Sequence, residues 1–167
     1  MKLITFILLL TMLVSQCQNK PDSRSTSGAP SEDELIELNR SLISRDQGLI
    51  REYISKSDRT YEETGTGLWY SVITGGDITK IKTGDKVTFD YECSIIDGET
   101  CYSGSQTLRV GFADAGAGVT EGLQMMSLGS DYLFIIPPYL AYGITGDGNK
   151  IPGSTILIYR IRIKEIN

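Results

Sequence analysis

The residue types in this chain exclude most familiar catalytic chemistry, because the chain contains no histidine. Ser-His-Asp and Cys-His arrangements need an imidazole base, and many zinc sites need an imidazole ligand. The side chains that could still do chemistry are three cysteines, nine tyrosines and the carboxylates. We interpret Glu62-Glu63 and Glu32-Asp33-Glu34 as solvated charges rather than acid–base pairs. The sequence therefore predicts neither a metal ion nor a cofactor.

Two of the cysteines flank a predicted hairpin turn. Cys93 and Cys101 lie on either side of Asp97-Gly98, the strongest turn signal in the chain. With a two-residue loop, Cys93 faces Tyr102 and the two thiols point to opposite sides. With a three-residue loop ending at Gly98, the two cysteines sit opposite each other and could form a disulfide. The sequence leaves both registers open.

The elements that must position these side chains are mostly strands. From Thr64 onward hydrophobic and polar residues alternate, which is typical of half-buried strands. A short helix is predicted over 120–128, before Gly129. One short helix lying on one face of several antiparallel strands predicts the α+β fold class. The predicted strands are 68–73, 87–93, a short segment around Leu108 and Val110, 131–136 and 155–166.

A separate helix precedes this domain. Ser31 and Glu34 have the spacing of a capping box, and they predict a helix over 32–55. We assign 31–60 to this N-terminal helix and 61–167 to the β-rich domain. The helix packs on that domain, which we favour, or pairs with a second copy to form a homodimer. Its apolar stripe consists of Leu35, Leu38, Leu42, Leu49 and Tyr53, widened by Ile36, Ile43, Ile50 and Ile54.

The first residues are typical of a targeting segment. An apolar run over 3–14 follows Lys2 and reaches about 18 Å as a helix, short of the roughly 30 Å of a membrane core. A signal peptide over 1–16 is therefore favoured. The segment 13–17 resembles the lipobox of bacterial lipoproteins, which implies lipidation of Cys17. Residues 17–30 are polar and predict a flexible tether. The alternative is an ordinary secretory signal that happens to contain a cysteine.

Several short motifs occur in an order that resembles the FKBP-type peptidyl-prolyl cis-trans isomerases. The resemblance implies a half-open antiparallel sheet wrapped around one short helix. The leader and helix, with Glu92-Cys93 and Cys101-Tyr102-Ser103, are similar to a membrane-anchored branch of Bacteroidota that includes gliding-motility-associated lipoproteins. The family motifs are GLWYSVI at 67–73, GDKV at 84–87 followed by Tyr91, DG at 97–98, EGLQMMSLG at 121–129, IIPPYLAYG at 135–143, IP at 151–152 and TIL at 155–157.

The resemblance implies a ligand pocket between the sheet and the short helix. Its implied catalytic groups are the Tyr142 hydroxyl, which bonds the substrate carbonyl, the pocket-wall ring of Tyr91 and the backbone N–H of Gly116. Val119 stands where the family usually has a tryptophan floor, and the pairs at 101–102 and 115–116 also depart from the family pattern. The implied substrate-binding residues are Tyr91, Cys101, Tyr102, Ala115, Gly116, Val119, Tyr142, Ile151 and Tyr159.

The activity implied by the resemblance needs no acid or base. Rotation about a peptide bond faces ~18–20 kcal/mol because resonance is broken, and a pocket that favours the twisted amide lowers this barrier. The expected partners are unfolded or proline-containing extracytoplasmic chains, met on the periplasmic side of a membrane that holds the lipid on Cys17. The pocket departures favour an alternative, a module that binds proline-containing segments without isomerising them. A net charge of −5 argues against a nucleic-acid partner.

Overall fold

The computed structural model describes residues 29–96, 98–112 and 115–167. Residues 36–167 form one compact unit, and residues 29–35 are the described part of another. The predicted signal peptide, the lipidation site Cys17 and all of the tether except Ala29 and Pro30 lie outside the described residues. Asp97, in the predicted hairpin turn, also lies outside them.

Six strands form one antiparallel sheet, which confirms the α+β class. Counted along the chain, the strands lie across the sheet in the order first, second, fifth, sixth, third and fourth. The fourth strand is much longer than the predicted segment around Leu108 and Val110, because it pairs with the third from Lys86 to Ser94. The first strand was not predicted. The bounds are β1 Glu62–Glu63, β2 Trp69–Thr74, β3 Lys86–Ile95, β4 Thr100–Arg109, β5 Asp131–Ile136 and β6 Leu157–Ile166.

The short helix α2 covers Ala117–Met125, whereas the sequence predicts it three residues later, so the prediction is wrong at both ends. The helix starts early because Gly116 precedes it with a φ of 75°, a conformation that glycine adopts at little cost. It ends early because Met126 is extended, with φ −92° and ψ 171°. The following turn is closed by Ser130, whose Oγ accepts the Ser127 N–H at 3.2 Å.

Close contact with the sheet also favours glycine within α2. A Cβ on Gly122 would lie 3.0 Å from the ring of Phe134, and a Cβ on Gly118 would lie 2.5 Å from Cγ2 of Ile136. The helix backbone can therefore approach β5 more closely than bulkier residues would allow. This approach forms the inner core, in which Phe89, Leu123, Phe134 and Ile161 are fully buried with their neighbours.

The long helix covers Glu32–Ser55, as the sequence predicts, and we call it α1. The capping box is present: the Ser31 N–H donates to Glu34 Oε2 at 2.8 Å, and the Glu34 N–H donates to Ser31 Oγ at 3.3 Å. Near its end, Ile50 is 1% exposed in a second core on the other face of the sheet. The predicted packing on the following domain is thereby confirmed for this part of the helix. The second core contains Ile50, Ile135, Ile156 and Ile158, with Trp69 and Leu133 packed against them.

The earlier turns of α1 do not share this burial. Ile36 and Leu38 are 44% and 55% exposed, so pairing of two copies through this stripe stays a prediction. Within the described part of the chain, no helix has the length and hydropathy needed to cross a membrane.

Candidate functional site

Three tyrosines that are far apart in sequence converge on one cavity of about 300 Å³. Tyr91 comes from β3, Tyr159 from β6, and Tyr142 from the segment after a 3-10 turn at Pro138–Leu140. The cavity lies where the inner face of the sheet meets the start of α2. Its lining residues are Tyr91, Cys93, Tyr102, Gln106, Ala115, Val119, Tyr142, Asp147 and Tyr159.

A second, deeper hollow of about 180 Å³ shares part of this lining. Ala115 and Val119, both with short side chains, line both spaces. The shared residues are Ala115, Val119, Tyr142 and Tyr159, and the additional ones are Gly116, Ile136, Leu140, Ala141 and Leu157.

The cavity wall is built from two stacked rings. The rings of Tyr91 and Tyr159 have centroids 5.6 Å apart and planes 14° apart. They share one face because β3 and β6 are paired neighbours, with Tyr91 opposite Ile161 and Cys93 opposite Tyr159. Burial raises the pKa of Tyr159, so its hydroxyl stays neutral. The wall is therefore flat and aromatic.

Tyr142 supplies the hydroxyl at the mouth of the cavity. Its side chain is 45% exposed and so is reachable by a ligand. Burial of the remainder raises the pKa of Tyr142, and the phenol keeps its proton at neutral pH. The side chain is therefore a hydrogen-bond donor rather than a base.

Gly116 is the residue that precedes the first turn of α2. No side chain caps this helix end, so backbone N–H groups of its first turn are available to a ligand carbonyl. The Gly116 carbonyl is already used, since it accepts the Thr120 N–H at 3.1 Å. The helix start and Tyr142 thus offer two kinds of donor around the same hollow.

Two of the predicted substrate-binding residues line neither space. Cys101 is buried, and its thiol lies 3.7 Å from the Lys150 carbonyl oxygen. Ile151 is 3% exposed and belongs to the inner core. Both residues belong to the inner core, whereas Tyr91, Tyr102, Ala115, Gly116, Val119, Tyr142 and Tyr159 lie at the two spaces.

The hairpin adopts the register in which Cys93 faces Tyr102. A bulge follows, because the next pair is Ser94 with Thr100, and Cys101 has no partner in the ladder. Both thiols are free, so the structure does not contain the disulfide that the other register would allow. Burial raises the pKa of Cys93 to about 12 and also raises that of Cys101, so both are protonated.

Sequence reasoning missed the contribution of Asp147 and of the second hollow. Asp147 lies in the glycine-rich segment 143–150, and its Asp-Gly pair is the local signal of a side chain that can accept hydrogen bonds within a turn. Leu140 and Ala141 lie inside a family motif, but nothing local shows that they face a cavity. In the described ranges no three acidic or cysteine side chains cluster as metal ligands would.

Comparison with known proteins gives similar domains. The family model described as FKBP-type peptidyl-prolyl cis-trans isomerase matches residues 78–164. The human protein Peptidyl-prolyl cis-trans isomerase FKBP10 is 34% identical over 93 residues, which are 53% of this chain and 16% of that protein. A Probable FKBP-type peptidyl-prolyl cis-trans isomerase from Haemophilus influenzae is 31% identical over 107 residues, which are 62% of this chain and 44% of that protein. The chain thus spans less than half the length of these curated relatives.

Solved structures show the same fold. FkpA from Escherichia coli aligns with a TM-score of 0.63 at 23% identity, over 84% of this chain and 75% of that one. A peptidyl-prolyl cis-trans isomerase from Pseudomonas syringae aligns with a TM-score of 0.66 at 20% identity, over 84% of this chain and 99% of that one. Because the family model covers more than half of the 167 residues, the chain belongs to the FKBP-type peptidyl-prolyl cis-trans isomerase family.

Proposed function

We propose that this protein accelerates cis-trans isomerisation of Xaa-Pro bonds in polypeptide chains. The observation that carries the proposal is the convergence of Tyr91, Tyr142 and Tyr159 on one solvent-reachable cavity. Family membership supports it, because the matched domain contains all three residues.

The geometry suits a reaction that needs no proton transfer. A planar amide carries more charge separation than a twisted one, so the aromatic wall of Tyr91 and Tyr159 disfavours the planar form. The Tyr142 hydroxyl and the N–H groups at the start of α2 can hold the carbonyl while the bond rotates. The Asp147 carboxylate at the edge of this cavity is already occupied, because it accepts the Tyr102 hydroxyl and two backbone N–H groups.

An exchange assay on an Xaa-Pro peptide tests this proposal with the whole chain. We expect wild type to accelerate exchange, and Tyr142→Phe to lower kcat/KM by about tenfold to a hundredfold because one carbonyl donor is lost. Tyr139→Phe is the matched control, since the Tyr139 hydroxyl donates to the Thr66 carbonyl at 3.1 Å away from the cavity. Folded wild-type protein that leaves the uncatalysed rate unchanged would refute the activity.

The second hollow favours one alternative function. Because Val119 and Ala115 have short side chains, a bound prolyl ring makes fewer packing contacts with this part of the lining. A module that holds proline-containing segments without isomerising them would have this property. Saturable peptide binding without accelerated exchange would select that function over the enzyme.

We also propose that the protein acts on extracytoplasmic chains as a lipoprotein of the cell envelope, of the Bacteroidota type. The support is the apolar leader, the lipobox-like segment 13–17 and the polar tether that follows. A lipid on Cys17 would hold the domain near the membrane, on the periplasmic side. One acyl chain anchors only marginally, so stable attachment requires two or more.

A further inference from the structure

The loop over 143–154 begins directly after Tyr142 and contains Ile151. It has no helix or strand, yet its backbone closes tightly on itself, since the Asp147 N–H donates to the Ile151 carbonyl at 3.1 Å. A Cβ on Gly146 would lie 2.2 Å from the same carbonyl oxygen, so only glycine fits there. This compact but irregular segment is bonded to Tyr142, because the Gly146 N–H donates to the Tyr142 carbonyl at 3.2 Å.

The carboxylate of Asp147 holds this loop together from within. Its Oδ1 accepts the N–H groups of Asn149 and Ile151, both at 2.8 Å. Its Oδ2 accepts the hydroxyl of Tyr102 at 2.5 Å, and Asn149 Nδ2 donates to that hydroxyl oxygen at 3.2 Å. One carboxylate thus joins the backbone of the loop to a side chain that lies 45 positions away in the sequence.

Tyr102 is a firm anchor for this bond because it belongs to the sheet. It lies on β4 opposite Cys93 of β3, and these two strands are paired over most of their length. The Nζ atom of Lys150 lies 5.3 Å from the centre of the Tyr102 ring, a cation–π distance. The bond from Tyr102 to Asp147 therefore ties the loop to the wall that carries Tyr91.

The charge states strengthen the bond. The hydrogen bond from Tyr102 lowers the pKa of Asp147, so the carboxylate is ionised at neutral pH. The same bond raises the pKa of Tyr102, so the phenol keeps the proton that it donates. A hydrogen bond to an ionised acceptor is shorter and stronger than one between neutral groups.

We propose that Asp147 and Tyr102 are positioning residues for the isomerase reaction, a role that rests on the proposed function. Their bond keeps the loop closed, so that the Tyr142 hydroxyl faces the volume bounded by the stacked rings of Tyr91 and Tyr159. Without the bond the loop is open for part of the time. The apparent Kd for the peptide then equals the Kd of the closed form divided by the fraction of molecules in which the loop is closed. Saturating peptide closes the loop again, so turnover of the bound peptide is largely retained.

NMR line-shape analysis of an Xaa-Pro peptide tests the proposal, because it separates Kd from the exchange rate of the bound peptide. We expect Tyr102→Phe and Asp147→Ala in the full chain to raise Kd about tenfold while the bound exchange rate changes less than about twofold. The double variant is expected to be no weaker than the worse single one, because both remove the same bond. Asp147→Asn is expected to recover most of the affinity, since an amide can still accept the N–H groups and contact the Tyr102 hydroxyl.

Two variants outside the cavity serve as controls. Tyr139→Phe removes one tyrosine hydroxyl, and Asp77→Ala removes a carboxylate that accepts the Thr79 N–H at 2.6 Å. Both are expected to leave Kd unchanged. Tyr102→Phe preserves the internal bonds of the loop, so it gives a result even if Asp147→Ala does not fold.

The outcomes separate this proposal from the activity itself. An unchanged Kd in folded Tyr102→Phe overturns the positioning role, as does a lower exchange rate at unchanged Kd. A wild-type protein without acceleration refutes the isomerase activity instead. In that case the peptide Kd of the same variants still decides whether the bond between Tyr102 and Asp147 closes the loop.

Discussion

At the scale of single residues, Asp131 shows how the sheet holds a carboxylate that is almost fully buried. It is 3% exposed at the start of β5, and it accepts hydrogen bonds from Arg160 and Arg162 of β6 at 2.8–3.0 Å. Burial alone would raise the pKa of Asp131, but the two guanidinium groups outweigh burial and lower it. The two arginines are about half exposed, which weakens their attraction by solvent screening.

This pair of contacts predicts a stability loss in acid. The pKa of Asp131 in the folded protein lies below the ordinary value of 3.8, so the contribution is present above that value and is lost as pH falls through the folded pKa. At pH 7, Asp131→Asn should lower the free energy of unfolding by about 1–2 kcal/mol, and the difference should shrink below about pH 4. Thermal or urea unfolding across pH measures it.

The control is Asp90→Asn, which breaks the exposed pair of Asp90 and Lys164 at 2.9 Å. We expect little effect, because both side chains are about half exposed. An Asp131 variant as stable as wild type at pH 7 would show that the buried carboxylate contributes nothing net.

At the scale of elements, α1 depends on a few contacts near its end. Ile50 is 1% exposed and packs with Ile135, Ile156 and Ile158 on the outer face of the sheet. Leu49, its neighbour in sequence, is 43% exposed because it points to another side of the helix. Ile50 therefore contributes far more than Leu49 to the packing of α1 on the sheet.

The matched pair Ile50→Ala and Leu49→Ala tests this contrast. Truncating Ile50 should lower the free energy of unfolding by about 3 kcal/mol, since transfer and cavity contributions add in a packed core. Truncating Leu49 should change it by less than about 0.5 kcal/mol. Urea denaturation of both variants measures the difference, and equal effects would contradict docking through Ile50.

Elements also differ in how far local signals predict them. The sequence predicts the start of α1 because Ser31 and Glu34 cap it within its own first turn. The sequence does not predict the limits of α2, because Gly116 adopts a positive φ and Met126 is extended, with its carbonyl accepting the N–H of Ile81 from outside the helix. Local propensity does not contain those contacts.

At the scale of the whole molecule, the two interpretations of the leader differ in one outcome. A lipoprotein would be held at the membrane by a lipid on Cys17, whereas an ordinary secretory signal would release the protein without lipid. Cys17→Ser should abolish incorporation of a labelled fatty acid and shift the protein from the membrane fraction to the soluble one. Cys101→Ser is the control, because this buried thiol of the folded domain should leave labelling unchanged. Wild-type protein that is cleaved and secreted without lipid would support the ordinary signal peptide instead.

The sequence by itself determined the fold class, the family motifs, the capped helix and the strands of period two, because these follow from near neighbours along the chain. Only the tertiary structure decided the hairpin register, the burial of Cys101 in the inner core and the bond between Tyr102 and Asp147. Those features depend on contacts between residues that are distant in sequence. Their energies come from packing and hydrogen bonding between different elements. A pattern among near neighbours in the sequence carries no information about those contacts.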